Sequence, residues 1–210
     1  MNTGRIIETD ADVAEGAAWL AALEPRFAAA LEQTGPLPLR RRGDGFEALL
    51  SAIIGQQVST ASASAIWARV VAAGLHQRDR VRGAQDADLQ ACGLSRPKVR
   101  YARALAENEL DYNSLRGVPD EVVIAELCKI IGIGRWTAEV YALSSLGRAD
   151  VFPSGDLALQ EAAKLVFDLE DRPTEKRMAQ MALAWSPWRA VAARLLWAYY
   201  RVAKNREGIR

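Results

Sequence analysis

Leu127-Cys128-Lys129-Ile130-Ile131-Gly132-Ile133-Gly134-Arg135-Trp136-Thr137-Ala138 is a helical pattern that stops at a Gly-x-Gly turn and restarts at once. Glycine adopts backbone conformations closed to residues with a Cβ, so Gly132 and Gly134 permit a tight turn. The restart puts a helix N-terminus at that turn, where N–H groups without intrahelical partners and the helix dipole favour an anion. Arg135 and Thr137 add side-chain donors. The apolar spacing Leu127, Ile130, Ile131, Ile133, Ala138 and Leu143 suits two helices packed on each other. On these residues alone two readings stay open, a phosphate grip and a plain helical corner. The stretch runs on to Val151-Phe152-Pro153-Ser154-Gly155-Asp156, a Pro/Gly loop that ends on a lone carboxylate where another helix is expected to begin. Asp is a preferred N-cap, and that role competes with a chemical one or coexists with it.

Outward from this stretch the apolar spacing stays helical, with little period-two alternation. Helices are predicted over 11–23, from Pro25 through Glu32, over 46–54, and from a Ser59 or Thr60 cap to Ala73, closed by Gly74. A polar connection leads to a short helix at 88–91, then to one capped by Ser95 with Pro97 in its first turn. The hairpin pairs 119–130 with 135–146. Further helices follow over 156–168, near 174–184, and from about Pro187 past Trp197 and Tyr200. The sum is about ten helices and no sheet, an all-α orthogonal bundle. The chain is expected to divide into a central domain, 46–154, and a second built from 1–45 and 155–210.

Composition narrows the class. Half of the 210 residues are hydrophobic, enough for a packed interior, and no apolar run reaches the ~18 residues of a membrane span. The first residues lack the charged-then-apolar order of a signal peptide, so a soluble, cytoplasmic protein is expected. A net charge of +1 excludes a chain that is basic all over but not a local basic patch. From Arg172 onward nine Lys/Arg face only Glu175 and Glu207, a bias that a solvated helix face explains as well as DNA does. Cys92 and Cys128 are the only cysteines, too few for an iron–sulfur cluster and without zinc spacing. Both are expected to be buried and inert. The single histidine, His76, is expected at the surface.

The full run from the hairpin to Asp156 resembles the helix-hairpin-helix (HhH-GPD) DNA glycosylases. Arg-Trp-Thr-Ala in the hairpin is similar to the bacterial 3-methyladenine DNA glycosylase II, or AlkA-type, branch. Three further stretches carry the same likeness: 51–59, Ser95 to Lys98 with Tyr101, and Trp185-Ser186-Pro187-Trp188-Arg189. The resemblance implies a two-lobed helical protein without an N-terminal β domain, with its active site in the cleft between the lobes. It implies a monomeric repair enzyme, of bacterial type, that acts on damaged double-stranded DNA and flips out alkylated purines such as 3-methyladenine. Hydrolysis of the N-glycosidic bond would leave an abasic site. A glycosylase for another damaged base and a non-catalytic module that binds damaged DNA are the alternatives.

By the same resemblance Asp156 is the catalytic carboxylate, 22 residues beyond Gly134. A preorganised anion stabilises the positive charge that develops on the sugar as the bond breaks. Gly132, Ile133, Gly134, Arg135 and Thr137 would hold the DNA backbone. A monovalent cation, Na+ or K+, is implied at Gly132 and Gly134; no other cofactor is expected. Trp136, Trp197, Gln56 and Phe46 would line the base pocket, with core packing as the rival role for Phe46 and Trp197. Gln57 stands at the wedge position, where some relatives carry an apolar plug. Bifunctional members place a Lys nucleophile where this chain has Trp136, so the resemblance implies no strand-cleaving lyase step. Trp185 and Trp188 are expected in the core.

Overall fold

The helical spacing becomes helices along nearly the whole chain. The computed structural model describes residues 3–206, with side chains to Lys204; among them are twelve α-helices, two short 3-10 turns and no strand. One isolated bridge joins Ile6 and Arg148. The all-α expectation holds. The chain separates into two compact units, one built on Arg42–Tyr141 and the other on Gly4–Arg41 with Ala142 onward. The sequence reading set the later boundary at 154. The difference is residues 142–154, whose Leu143, Ala149 and Phe152 are buried in the second unit's core.

The first unit holds α3 (Phe46–Gly55), α4 (Thr60–Ala72), α5 (Arg78–Gly83), α6 (Asp86–Ala91), α7 (Arg96–Glu107), α8 (Asp120–Cys128) and the start of α9 (Arg135–Ser144). Helix α3 buries Phe46, Leu49, Leu50, Ile53 and Ile54 and packs on α4 and α7. Helix α7 presents Val99, Ala102, Leu105 and Ala106 as one apolar face. Lys98 Nζ donates to Ile54 O at 2.7 Å, satisfying a last-turn carbonyl of α3. Ser59 caps α4, its hydroxyl accepting from Ser62 N. Ser95 sits at the N-cap of α7 without a side-chain cap bond, unlike the expectation.

Helix α5 lies in the expected polar connection. It buries only Val81, too little to show a 3.6-residue period. Tertiary contacts hold it instead, with Arg103 Nη1 donating to Val81 O and Arg82 O at 2.7 and 3.2 Å. Cys92 is buried but Cys128 is exposed, because Cys128 falls on the outer side of α8, where Leu127 takes the core position. His76 is half-buried rather than a surface residue.

The second unit holds α1 (Asp10–Leu23), α2 (Pro25–Thr34), the end of α9, α10 (Leu157–Val166), α11 (Glu175–Ala182) and α12 (Arg189–Arg206). Helix α12 is its axis: Ala190 through Leu196 are all buried, and it packs against α1, α2 and α10. Close approach depends on Gly16, where a Cβ would fall 2.6 Å from the Trp188 ring. Trp185 and Trp188 are core residues as expected, Trp185 meeting Phe27, Phe152 and Phe167 at 5.2–5.8 Å. Arg189 grips Asp150 through two bonds of 2.7 and 3.0 Å. Among the described residues, no helix is long and apolar enough to cross a membrane.

Candidate functional site

The hairpin turn is built around one obligatory glycine. Gly132 has φ +95, in the region that favours glycine, and a Cβ there would sit 2.3 Å from Tyr101 Cγ. The α7 aromatic is therefore the floor of the turn. Gly134 differs from the expectation: its φ is not positive, and a Cβ would meet nothing within 4 Å. It stands before Arg135, the first residue of α9, and its carbonyl accepts from Ala138 N at 3.0 Å. What a side chain would change at Gly134 is access to the helix start, not the fold.

Of the predicted backbone-binding residues, Ile133 is buried and its N–H donates to Ile130 O at 3.0 Å, closing the turn internally. Thr137 is also buried; its hydroxyl faces the Gln56 amide at 3.4 Å rather than solvent. Arg135 is exposed and pairs through Nε with the buried Glu139 at 2.8 Å, one turn along α9. That contact supplies Glu139 with the counter-charge a buried carboxylate needs. The surface left to a ligand is the start of α9 and the exposed Gly134 and Arg135. Trp136 beside them is 44% exposed, a high value for an indole.

Gln56 ends α3, and its Nε2 donates to Gly132 O at 2.9 Å. The predicted pocket amide thus ties the α3–α4 corner to the hairpin. Gln57 is exposed with φ +56, a left-handed conformation uncommon for a non-glycine residue. The wedge candidate is therefore the protruding tip of that corner. Phe46 is 8% exposed, at the first turn of α3. Gln56, Gln57, Tyr101, Ile131, Gly132 and Trp136 line a single depression of about 650 Å³.

Asp156 lies in the second unit as the N-cap of α10. Its Oδ1 accepts from Ala158 N and Leu159 N at 2.9 and 3.0 Å, which fixes the carboxylate plane. The preceding loop is fastened too. Asp156 N donates to Pro153 O, and the buried Gln160 donates from Nε2 to Ser154 O, each at 2.9 Å. The N-cap role weighed for Asp156 is thus present in the two bonds that its Oδ1 accepts.

Trp197 is half-buried against the core of the second unit. The Arg40 guanidinium lies over its ring, 5.4 Å from the centroid. Sequence reasoning named neither this contact nor the structural use of Tyr101. The first joins residues far apart in the chain; the second belongs to a stretch, Ser95 to Lys98 with Tyr101, that is legible in the sequence.

The family described as HhH-GPD superfamily base excision DNA repair protein matches residues 50–189. A putative DNA-3-methyladenine glycosylase of Bacillus subtilis is 31% identical over 184 residues, covering 81% of this chain and 64% of its own length. A solved DNA-3-methyladenine glycosidase of Bacillus halodurans is 32% identical, with a TM-score of 0.79 over 93% of this chain and 92% of that one. The 3-methyladenine DNA glycosylase Mag1 of Schizosaccharomyces pombe, solved with abasic DNA, is 26% identical. Its TM-score is 0.76 over 87% of this chain and 95% of that one.

Proposed function

The chain belongs to the HhH-GPD superfamily of base excision DNA repair proteins, and we propose that it is a monofunctional DNA glycosylase that removes alkylated purines from double-stranded DNA. The observation that carries the reading is Asp156, a carboxylate locked in one orientation by two backbone N–H groups at the end of a fastened loop. The names of the three relatives described above, all 3-methyladenine glycosylases or glycosidases, supply the substrate class.

In this reading the exposed start of α9 with Gly134 and Arg135 holds the DNA backbone, while Gln57 enters the gap left by the extruded nucleotide. Extrusion costs a few kcal/mol. Stacking on Trp136 or Trp197 returns ~1–3 kcal/mol per base. The C1′–N bond then breaks, its electron pair leaving with the base, and a water oxygen bonds to C1′. Asp156 stabilises the positive charge on the sugar during that passage and orients the water, whose proton ends in solvent. An alkylated purine that already carries positive charge leaves as a neutral base.

Trp136 offers no amine to the sugar, so no Schiff base forms there and the strand stays whole. The implied monovalent cation would be held by backbone carbonyls of the turn; Gly132 O, which accepts the Gln56 Nε2–H at 2.9 Å, keeps a second lone pair for it. A single chain suffices for the chemistry.

The test uses duplex DNA treated with a methylating agent. The protein is expected to free 3-methyladenine or 7-methylguanine and to leave strands that break only after alkali. Strand breakage without alkali would overturn the monofunctional assignment. Tight duplex binding with no base release would make the protein a damage-binding module.

A further inference from the structure

The loop from Leu37 to Arg41 is fastened on either side of Arg40. Before it, Leu39 O accepts from Arg194 Nε at 3.1 Å; Arg194 is fully buried on α12 and also donates to Ala190 O at 2.9 Å. After it, Arg41 Nη1 donates to Ser145 O at 2.8 Å. Gly147 closes on the same guanidinium, since a Cβ at its φ of +74 would fall 2.6 Å from Arg41 Nη1. Arg40 itself has φ +53, a conformation that costs an L-residue energy and persists only where the surroundings impose it. The result of this bracing is a guanidinium set over the face of Trp197.

The charge there is not isolated. Burial, and then the nearby Arg40 and Arg41, bring the Arg194 guanidinium down to about 10, so it remains a cation at neutral pH and adds to the positive field around this loop. An indole face attracts a cation. Here that position is taken by a residue of the protein itself, and a second cation is met by like charge.

We propose that Arg40 is a specificity-determining residue, which by covering Trp197 turns that face away from positively charged bases and shifts the enzyme's preference toward neutral damaged purines such as hypoxanthine. The inference rests on the glycosylase reading above. Positively charged bases then depend on Trp136, the exposed indole in the first turn of α9. Neutral purines stack on Trp197 beside the guanidinium and offer ring-nitrogen and carbonyl acceptors to its N–H groups.

The test compares kcat/KM for release of 7-methylguanine, a cation, and hypoxanthine, a neutral base, from duplexes of one sequence. The unaltered protein is set against Arg40→Gln and Arg40→Lys. Arg40→Gln is expected to raise the 7-methylguanine to hypoxanthine ratio about tenfold. Arg40→Lys, which keeps the charge, is expected to hold the ratio near its original value. A thermal melt checks folding, and Arg40→Gly, which relieves the positive φ, replaces Arg40→Gln if that variant does not fold. A ratio that moves less than about twofold in the uncharged variant overturns the inference alone. So does an unaltered protein that releases 7-methylguanine but no hypoxanthine. Release of neither base by the unaltered protein overturns the glycosylase reading with it.

Discussion

Gly132→Ala tests how the hairpin is made. Two costs add at this position. A residue with a Cβ at φ +95 sits outside its ordinary range, at roughly 1–2 kcal/mol. The new methyl also overlaps Tyr101, whose Cγ would be 2.3 Å away, and overpacking of this kind costs about 1–3 kcal/mol. The sum is about 3 kcal/mol, and for a chain of this size a fall in Tm of about 6–12 °C. Gly134→Ala is the matched control, because nothing lies within 4 Å of its Cβ and its φ is not positive. It should melt within about 2 °C of the unaltered protein while weakening duplex binding, since the methyl covers the helix start. In Gly132→Ala/Tyr101→Ala the overlap disappears and the backbone strain remains. Pairwise coupling of about 1–2 kcal/mol is therefore expected in a double-mutant cycle followed by urea unfolding. A Gly132→Ala protein as stable as Gly134→Ala would refute the assignment of the turn.

Three further outcomes follow from the same geometry. Gln56→Ala removes the 2.9 Å bond to Gly132 O and should cost about 1 kcal/mol in urea unfolding; it should also weaken duplex binding several-fold, read by fluorescence anisotropy. Trp136→Ala should cost about 1–3 kcal/mol of stability, less than loss of a core indole because the ring is 44% exposed, yet slow release of alkylated bases by roughly 10–100-fold in single-turnover assays. Tyr141 accepts from Gly45 N at 2.8 Å, and burial pushes its hydroxyl up to about 12. A raised folded value means the neutral form stabilises the fold fully below pH ~10, and that contribution is lost as pH climbs toward 12. Tyr141→Phe should accordingly lower the urea midpoint at pH 7 and flatten its decline between pH 10 and 12.

What the sequence disclosed depended on how local each feature is. The hairpin is a contiguous signal, a Gly-x-Gly interrupting a 3.6-residue period, and the Asp156 cap was readable from the Pro/Gly loop before it. Helix α5 was not, because six residues with one buried side chain cannot show a period and its carbonyls are satisfied by Arg103 from α7. The two hairpin glycines look alike in sequence; only the Tyr101 ring makes one obligatory. Thr137 reads as a polar donor in the first turn of a helix, yet the Gln56 amide from 81 residues away turns it inward. The cation over Trp197 depends on a buried arginine that bonds a carbonyl 155 residues distant, and no spacing rule reaches that far.

The most direct test of the account is the single-turnover rate of base release from methylated duplex DNA by Asp156→Asn. Asn is as good an N-cap as Asp, so α10 should stay capped and thermal stability should hold within about 2 °C. Only the negative charge is lost. The account predicts that duplex binding persists while release falls by at least about a hundredfold, the scale of losing one preorganised electrostatic contact to the transition state. Equal rates for the two proteins would contradict it.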